Sequence, residues 1–323
     1  NPDAKAVLVN NPTYYGICSD LRAIVKMAHE NGMLCLADEA HGTHFYFGAD
    51  MPVSAMAAGA DMAAVSMHKS GGSLTQSSVL LTGQNMDKGL VRQIINLTQT
   101  TSASYLLLSS LDLSRRNLAL RGKECFDKVV EMAEYAREEI NRIGGYYAYG
   151  RELVDGVNVF DYDVTKLCIY TRNIGLTGIE VYDLLRDEYD IQIEFGDLGS
   201  IMAYISIGDR LRDIERLVGA LEDIKRLYVK DGSNLACVDF IEPEVVKSPK
   251  QSFYAEKVSM PLSKSAGNVC GEFVMCYPPG IPILAPGELI TDEIIEHIVF
   301  SKEKGCSLQG AADPDVENIR VLK

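Results

Sequence analysis

Short apolar runs, each followed by polar residues, recur in the first third of the chain, and this pattern restricts the fold more than any other feature. Each run has the length of a buried strand, and the segments between the runs have the composition of helices. Strands that alternate with helices favour a mostly parallel sheet, so we expect an α/β fold. The predicted strands are residues 7–9, 34–37 and 63–67.

Helix-capping residues mark the predicted connections between these strands. Ser19 is a suitable N-cap for a helix through residue 29, and Asn31-Gly32 would end that helix. A shorter helix over 54–58 would end at Gly59. In a parallel sheet, ligands bind outside the carboxyl ends of the strands. The polar clusters of this chain follow the predicted strands at those ends.

Helical spacing of apolar residues predicts two helices in the middle of the chain, over 106–120 and 122–143, the second connecting two domains. A small α+β domain of β-α-β-β-α order is expected next. Its first helix would begin at a capping box formed by Thr177 and Glu180, and its last helix at Asp209. Its predicted strands are residues 167–170, 191–195 and 203–207.

The tail of the chain is less regular. Tyr277-Pro278-Pro279-Gly280-Ile281-Pro282 disfavours a helix or a central strand, because proline lacks an amide hydrogen. A final helix is expected from Thr291, with Asp292 and Glu293 at its positive end. We therefore expect three domains, over residues 1–145, 146–232 and 233–323.

Charge and hydropathy exclude two classes of protein. With 31 basic and 45 acidic residues among 323, the formal net charge is −14, which disfavours a groove for nucleic-acid phosphates. Apolar runs in the sequence stay below the roughly 18 residues that would span a bilayer. The chain starts at Asn1 and enters the first strand almost at once, so we expect an N-terminal part of a larger domain to be missing.

The eight cysteines do not predict a disulfide framework. They are scattered and form no Cys-x-x-Cys pair, and several, such as Cys35 and Cys168, lie in apolar runs where a free thiol packs as a small hydrophobic group. We therefore expect the reducing cytoplasm as the compartment. The remaining cysteines are Cys18, Cys125, Cys237, Cys270, Cys276 and Cys306.

Two clusters of chemically active residues each follow a predicted strand. One is Asp38-Glu39-Ala40-His41-Gly42 and the other is Ser66-Met67-His68-Lys69-Ser70-Gly71-Gly72. Asp38 and Lys69 are 31 positions apart, about the length of one strand-helix-strand crossover, so the two side chains would open into the same crevice if their strands are neighbours.

A lysine and an aspartate in one crevice suit pyridoxal phosphate. The lysine amine can bond to the cofactor's aldehyde, and the aspartate can keep the pyridine nitrogen protonated so that the ring accepts electrons. Ser66 and the glycines after Lys69 could offer hydroxyl and N–H groups to the phosphate. His41 or His68 could stack on the ring or move protons.

Other interpretations of the same residues stay open at this point. Taken singly, an aspartate after a strand is usually a turn residue, a loop lysine is usually a surface charge, and a histidine usually lies at the surface or in the core. Asp-Glu-Ala-His also occurs as a helicase motif, but the required phosphate loop is absent from this sequence. His41, His44 and His68 could form a metal site, although their spacing is loose.

The motifs together resemble the pyridoxal-phosphate-dependent Orn/Lys/Arg decarboxylases, which have the aspartate-aminotransferase-like fold, and especially their shorter Gram-positive-type members. The resemblance covers nearly the whole chain. The segments that carry it are Asn11-Pro12-Thr13-Tyr14-Tyr15-Gly16, Asp38-Glu39-Ala40-His41-Gly42, Ser66-Met67-His68-Lys69, Leu74-Thr75-Gln76-Ser77, Thr101-Ser102-Ala103-Ser104-Tyr105, Tyr277-Pro278-Pro279-Gly280-Ile281-Pro282 and Pro286-Gly287-Glu288.

The resemblance implies roles for individual residues. Lys69 would be the lysine that bonds to the cofactor, and Asp38 the partner of its ring nitrogen. His41 would lie near the ring, with Ser66 and His68 near the phosphate; Lys69, His41 and His68 are the catalytic candidates. The segment with Thr101 and Ser102 would reach the cofactor of a neighbouring subunit.

The resemblance also implies a homodimer or larger homo-oligomer that decarboxylates a basic amino acid in polyamine biosynthesis, and a C-terminal decarboxylase domain. In this family, the turn that grips the phosphate and the residue stacked on the ring precede the point where this chain starts. We therefore expect the isolated 323-residue chain to bind the cofactor weakly.

Arginine is the expected substrate, with lysine and ornithine as alternatives. Glu194 and Asp197 are candidates for binding its cationic side chain. An aminotransferase or lyase of the same fold is the nearest alternative function, and Arg210 or Arg212 would then clamp the substrate carboxylate. A non-catalytic homologue that serves in dimerisation or regulation is a second alternative.

Overall fold

The computed structural model describes residues 3–230, 241–277 and 279–323, which form two compact units. The first unit takes its described residues from Asn1–Ile143, Ala148–Cys168 and Ala203–Gly219, and the second from Gly144–Tyr147, Ile169–Met202 and Ala220–Lys323. Cys237, Pro278 and the predicted boundary at residues 232 and 233 lie outside the described residues. The predicted three-domain division stays a prediction.

The first part of the first unit alternates strands and helices as the sequence predicts. A turn of 3-10 helix, Thr43–Tyr46, follows the second long strand. The elements are β1 (Ala6–Asn10), β2 (Ile17–Cys18), α1 (Leu21–Glu30), β3 (Leu34–Asp38), α2 (Ala55–Ala58), β4 (Met62–Ser66), α3 (Met67–Ser70) and β5 (Ser78–Thr82).

A mostly parallel sheet forms the centre of this region. Among the described residues its strand order is β1-β3-β4-β5; β3 pairs in parallel with β1 and β4, whereas β5 runs antiparallel to β4. Leu21 and Val25 of α1 pack with Cys35 and Ala37 of β3 in the core of the unit. The predicted parallel sheet is confirmed.

Two predicted bounds in this region are wrong. Asp20 rather than Ser19 caps α1, because the Asp20 carboxylate accepts the N–H of Ala23 at 3.0 Å. The third strand ends at Ser66, before the predicted residue 67, since the chain turns there into the short helix α3. Lys69 consequently lies in a helical turn.

A single long helix replaces the two helices predicted in the middle of the chain. After α4 (Lys88–Thr98), helix α5 runs without a break over Tyr105–Ile143. Gly122 lies within this helix. A Cβ at this position would lie 2.7 Å from Cβ of Phe47. The glycine allows the helix to approach Phe47 closely. The sequence analysis also missed β5 and α4.

A second sheet contains strands from the later part of the chain, and within the described residues its order is β6-β8-β10-β9. The predicted β-α-β-β-α order is confirmed. The capping box at Thr177 is also confirmed, with both of its hydrogen bonds present. The elements are β6 (Tyr147–Ala148), β7 (Asp161–Tyr162), β8 (Lys166–Tyr170), α6 (Gly178–Asp187), β9 (Phe195–Gly196), β10 (Ser200–Tyr204) and α7 (Leu211–Tyr228).

The predicted bounds of three of these elements are wrong. Of the predicted strand 191–195, only Phe195 belongs to a paired strand, β9. The strand predicted over 203–207 is β10, which ends at Tyr204. The alternation of apolar and polar residues in 191–195 therefore does not mark a paired strand. Helix α7 begins at Leu211, because the Asp209 carboxylate accepts the N–H of Ser206 instead of capping the helix.

The C-terminal part of the second unit packs a helix against short strands around its own core, which includes Val274, Leu284 and Ile298. Thr291 caps the last helix as predicted. Tyr277, however, ends the central strand of a three-stranded sheet, and Pro282 lies in an edge strand. The elements are α8 (Pro249–Tyr254), β11 (Lys257–Pro261), β12 (Val274–Tyr277), β13 (Ile281–Leu284), α9 (Asp292–Glu303), β14 (Ser307–Gln309) and β15 (Asn318–Leu322).

Candidate active site

The carboxyl ends of β3 and β4 bring the two predicted clusters to one edge of the parallel sheet. Asp38 ends β3 and pairs in register with Ala64 of β4, and Ser66 ends β4. The chain turns directly into α3, which carries Lys69. The strands β3 and β4 are therefore neighbours, which is the condition under which the sequence places Asp38 and Lys69 in one crevice.

Lys69 and His41 are in direct contact. Lys69 Nζ lies 3.0 Å from Nε2 of His41, which follows β3 in the first cluster. The imidazole also packs against the Tyr14 ring, with 4.2 Å between the ring centroids. The structure thus places the lysine amine, an imidazole and an aromatic ring together near the end of β3.

A second lysine contacts the other nitrogen of the same imidazole. Lys166 Nζ lies 3.4 Å from His41 Nδ1 and 3.7 Å from the centroid of the Tyr204 ring. The sequence analysis missed Lys166. The sequence does contain a signal for a buried lysine, since Lys166 directly precedes the apolar residues of β8. A charged side chain at such a position is either buried with a partner or directed to solvent.

Burial and positive charge keep His41 neutral. Burial is the first cause, followed by the ammonium groups of Lys166 and, where it carries a proton, Lys69; together they lower the pKa of His41 to about 3. The more distant Asp163 opposes this shift and His44 adds to it. At neutral pH the ring can therefore donate one hydrogen bond and accept one.

Asp38 and Ser66 keep polar atoms at the sheet edge. Asp38 is exposed within the described chain, and its Oδ1 accepts the N–H of Ala40 at 3.2 Å. Ser66 occupies the N-cap position of α3, but its side chain makes no capping hydrogen bond there. Its carbonyl accepts the hydroxyl of Thr43 at 2.9 Å, which ties the two clusters together through the backbone.

His68 points away from the Lys69–His41 contact. Its Nδ1 lies 2.9 Å from the carbonyl oxygen of Ser77, and its backbone N–H donates to the same oxygen. This double contact fixes the ring beside the start of β5. Thr101 and Ser102 lie in the exposed segment between α4 and α5, where the Ser102 N–H donates to Thr100 Oγ1. The described chain brings neither of them to Asp38 or Lys69.

His44 has a buried carboxylate as partner. His44 Nε2 lies 2.8 Å from Asp163 Oδ2, with both side chains fully buried, and the Thr165 hydroxyl donates to the other oxygen at 2.7 Å. Burial alone would raise the pKa of Asp163, but His44, Lys166 and Thr165 together hold it below its usual range. Among the described residues no cluster suited to a metal ion is found, so the considered metal site of His41, His44 and His68 is not formed.

The charged side chains considered for substrate binding are exposed or belong to a turn. Arg210 and Arg212 are exposed, and Arg212 pairs with its neighbour Asp213 at 3.5 Å. In the second unit, Asp197 accepts the N–H groups of Gly199 and Ser200 in a turn. Glu194 is exposed.

The parallel sheet, with a carboxylate and a lysine after neighbouring strands, defines an α/β enzyme fold with a site at the strand ends. A solved lysine decarboxylase from Francisella novicida is similar in structure, with a TM-score of 0.81 and 19% identity, over 98% of this chain and 57% of that chain. At this identity the likeness establishes the fold alone. It confirms the predicted α/β class and the aminotransferase-like architecture.

Sequence comparison identifies the family. The model of the Orn/Lys/Arg decarboxylase major domain matches residues 1–213, and that of the C-terminal domain matches residues 237–312. Curated arginine decarboxylases of Halalkalibacterium halodurans and Bacillus subtilis are 43% and 42% identical to the chain over its whole length. The chain therefore belongs to the Orn/Lys/Arg decarboxylase family, and the predicted resemblance is confirmed.

The family assignment also confirms the predicted enzyme class, a decarboxylase of basic amino acids, at the level of the family. The chain spans 67% of the length of each of these two arginine decarboxylases. Among the described residues, no helix has both the length and the apolar character that crossing a bilayer requires.

Proposed function

We propose that this protein binds pyridoxal phosphate and decarboxylates a basic amino acid, with arginine as the preferred substrate. The observation that carries the proposal is the contact between Lys69 and a neutral His41 at the sheet edge that also bears Asp38. Arginine is favoured over lysine and ornithine because the relatives from Halalkalibacterium halodurans and Bacillus subtilis, both above 40% identity, are arginine decarboxylases.

The side chains at the sheet edge fit this cofactor chemically. Lys69 offers a primary amine, Asp38 a carboxylate, and Ser66 a hydroxyl that is not used to cap α3. These are the groups that an aldehyde, a pyridine nitrogen and a phosphate require as partners. When bound, the cofactor supplies an electron sink for the electron pair that the departing carboxylate leaves behind.

The protein's own residues have separate tasks in this proposal. Asp38 holds the proton on the ring nitrogen through a charge-assisted hydrogen bond. Lys69 supplies the amine that bonds to the cofactor, and His41, being neutral, contacts that amine without adding a positive charge. Ser66 donates its hydroxyl to the phosphate. His68 supports the cofactor site indirectly, because its ring is held against Ser77.

A homo-oligomer and a cytoplasmic location complete the proposal. The exposed position of Thr101 and Ser102 supports a role at the site of another copy rather than in their own. The cysteines of the described residues carry free thiols, as expected in a reducing compartment. Weak binding of the cofactor by the isolated 323-residue chain stays a prediction.

The proposal is tested with protein expressed from its complete gene and supplied with pyridoxal phosphate. Arginine, lysine and ornithine are offered separately, and the amine and CO2 are both quantified. Arginine should give agmatine and CO2 in equal amounts, and Lys69→Ala should lower the rate at least a thousandfold, since the residue that bonds to the cofactor is lost. Lys26→Ala, a change of an exposed helix lysine, is the matched control and should leave the rate unchanged.

Two outcomes would contradict the proposal. Product that depends on an added keto acid and appears without CO2 would establish the aminotransferase alternative. The exposed positions of Arg210 and Arg212 do not favour this alternative. Retention of the protein's biological role in the Lys69→Ala variant would favour a non-catalytic homologue.

A further inference from the structure

Lys166 is a lysine that the fold holds in a buried position. Its side chain is only 3% exposed, and its backbone carbonyl accepts hydrogen bonds from Tyr162 Oη at 3.0 Å and from Arg137 Nη2 at 3.2 Å. Gly16 makes room for the side chain, because a Cβ on this glycine would lie 3.0 Å from Cβ and Cγ of Lys166. The backbone and the first part of the Lys166 side chain are therefore held by several elements of the first unit.

Two neighbouring groups interact favourably with the Lys166 ammonium. The ammonium lies over the face of the Tyr204 ring, whose negative electrostatic potential attracts a cation. The buried carboxylate of Asp163 also interacts with the lysine, whose charge contributes to the lowered pKa of Asp163. An ammonium has only hydrogen atoms to offer and cannot accept a hydrogen bond.

His41 cannot serve two ammonium groups as an acceptor at the same time. A neutral imidazole has one acceptor nitrogen and one N–H, and the hydrogen bond made by one nitrogen decides where the proton lies on the other. Lys166 is next to Nδ1 and Lys69 is next to Nε2. The exposed Lys69 can exchange its contact with the ring for water, whereas the buried Lys166 cannot, so acceptance by Nδ1 is favoured.

We propose that Lys166 is a positioning residue that fixes the tautomer of His41. The Lys166 ammonium donates to Nδ1, so the ring proton lies on Nε2, the nitrogen on the side of Lys69. That Lys69 is the residue which bonds to the cofactor rests on the proposed function; the tautomer of His41 does not.

The charged and titratable groups around His41 agree with this arrangement. Lys69 faces the ring from α3, and Lys166 faces it from β8. Asp163 lies in the segment before β8, and His44 lies in the turn after β3. Burial and the lysines outweigh Asp163 and keep the ring neutral. The Tyr14 ring covers one side of the imidazole, which restrains its rotation.

The tautomer can be measured directly by nitrogen-15 NMR of histidine-labelled protein. The cofactor is first removed with hydroxylamine, and the signals of His41 are identified by their loss in His41→Asn. At neutral pH we expect the chemical shifts of an unprotonated Nδ1 and a protonated Nε2. The opposite tautomer in the unaltered protein would overturn the proposal without the need for any variant.

Two variants separate the role of Lys166 from a general structural role. Lys166→Met keeps the apolar stem and removes the donor, so the Nδ1-protonated form should appear and His41 should take up a second proton at a higher pH than before. Lys26→Met, at an exposed helix position, should leave the His41 signals unchanged. An unchanged His41 spectrum in a folded Lys166→Met protein would contradict the proposal.

The tautomer of His41 is measured independently of the decarboxylation test. An active decarboxylase with the opposite tautomer would leave the proposed function intact and refute the role of Lys166. The expected tautomer in a protein without decarboxylase activity would support the role of Lys166 and refute the proposed function.

Discussion

At the residue scale, the contact between Lys69 and His41 joins two clusters that follow neighbouring strands of the parallel sheet. Asp38 and Lys69 were predicted from local sequence because the ends of neighbouring parallel strands must lie at the same sheet edge. Lys166 was missed because its contact with His41 joins residues 125 positions apart, and no local pattern encodes that distance. The same limit applies to Asp163, which pairs with His44 from a distant part of the chain.

Glu39 is a buried acid beside Asp38 whose stability contribution should depend on pH. Burial raises the pKa of Glu39 to about 7, although Tyr46 Oη and the Ala55 N–H both donate to its carboxylate. The protonated acid is thus favoured by folding, so this contribution is complete below about pH 4.5 and is lost as the pH rises through about 7.

We therefore expect the free energy of unfolding of the wild-type protein, relative to Glu39→Gln, to fall between pH 5 and pH 8. The fall should be of the order of 3 kcal/mol, since one unit of pKa corresponds to about 1.4 kcal/mol. Urea unfolding of both proteins at several pH values measures it. A difference that stays constant over this range would show that Glu39 is not protonated in the folded state.

At the element scale, the pair His44–Asp163 joins the 3-10 turn after β3 to the segment that leads into β8. Both side chains are fully buried, so removal of one leaves the other without its partner in a medium that solvates charge poorly. We expect His44→Ala to lower the free energy of unfolding by about 3–5 kcal/mol at pH 7.

Denaturant unfolding of a double-mutant cycle with Asp163→Asn is the appropriate measurement for this pair. The double variant should cost less than the sum of the two single variants, because the two side chains interact directly. Additive losses would contradict the interaction seen between Nε2 and Oδ2.

In the second unit, the thiol of Cys276 in β12 contacts the thiol of Cys306, which directly precedes β14. A hydrogen bond from Cys306 is the first cause that lowers the pKa of Cys276, to about 7, and it raises the pKa of Cys306. Since the thiolate is the reactive form, alkylation of Cys276 by iodoacetamide should be half-maximal near pH 7. In Cys306→Ala the half-maximal pH should rise towards the ordinary value near 9.

Peptide mass spectrometry after brief alkylation gives the rate at Cys276 separately from the other thiols. The buried Cys35 should stay unmodified over the same pH range and serves as an internal control. An unchanged profile for Cys276 in Cys306→Ala would rule out this hydrogen bond as the cause.

Element bounds show where local sequence loses its predictive value. The caps Thr177 and Thr291 were predicted because a hydroxyl and the backbone N–H three residues later lie within one turn. Gly122, the predicted start of a second helix, lies inside α5, where its lack of a side chain permits the close approach to Phe47. Whether a glycine ends a helix or packs inside one depends on a neighbour from elsewhere in the fold.

At the scale of the whole molecule, α4 and the first turns of α5 expose several large apolar side chains. Among the described residues, α4 buries none of its side chains, and Leu97 and Leu106 are 75% and 78% exposed. Large contiguous apolar surfaces on a protein usually mark an interface. The proposed homo-oligomer would cover this surface, and the segment with Thr101 and Ser102 lies between its two helices.

A charge placed on this surface should separate the copies without unfolding them. Leu106→Glu should lower the mass measured by sedimentation equilibrium, because a buried carboxylate at an apolar interface lacks a partner. The free energy of unfolding of the dissociated chain should change little, since the exposed Leu106 side chain makes few contacts within the chain. Val157→Glu alters an equally exposed residue, 75% accessible, outside these helices and should leave the mass unchanged. If Leu106→Glu keeps the wild-type mass, the interface lies elsewhere and the assignment of Thr101 and Ser102 to a neighbouring site loses its support.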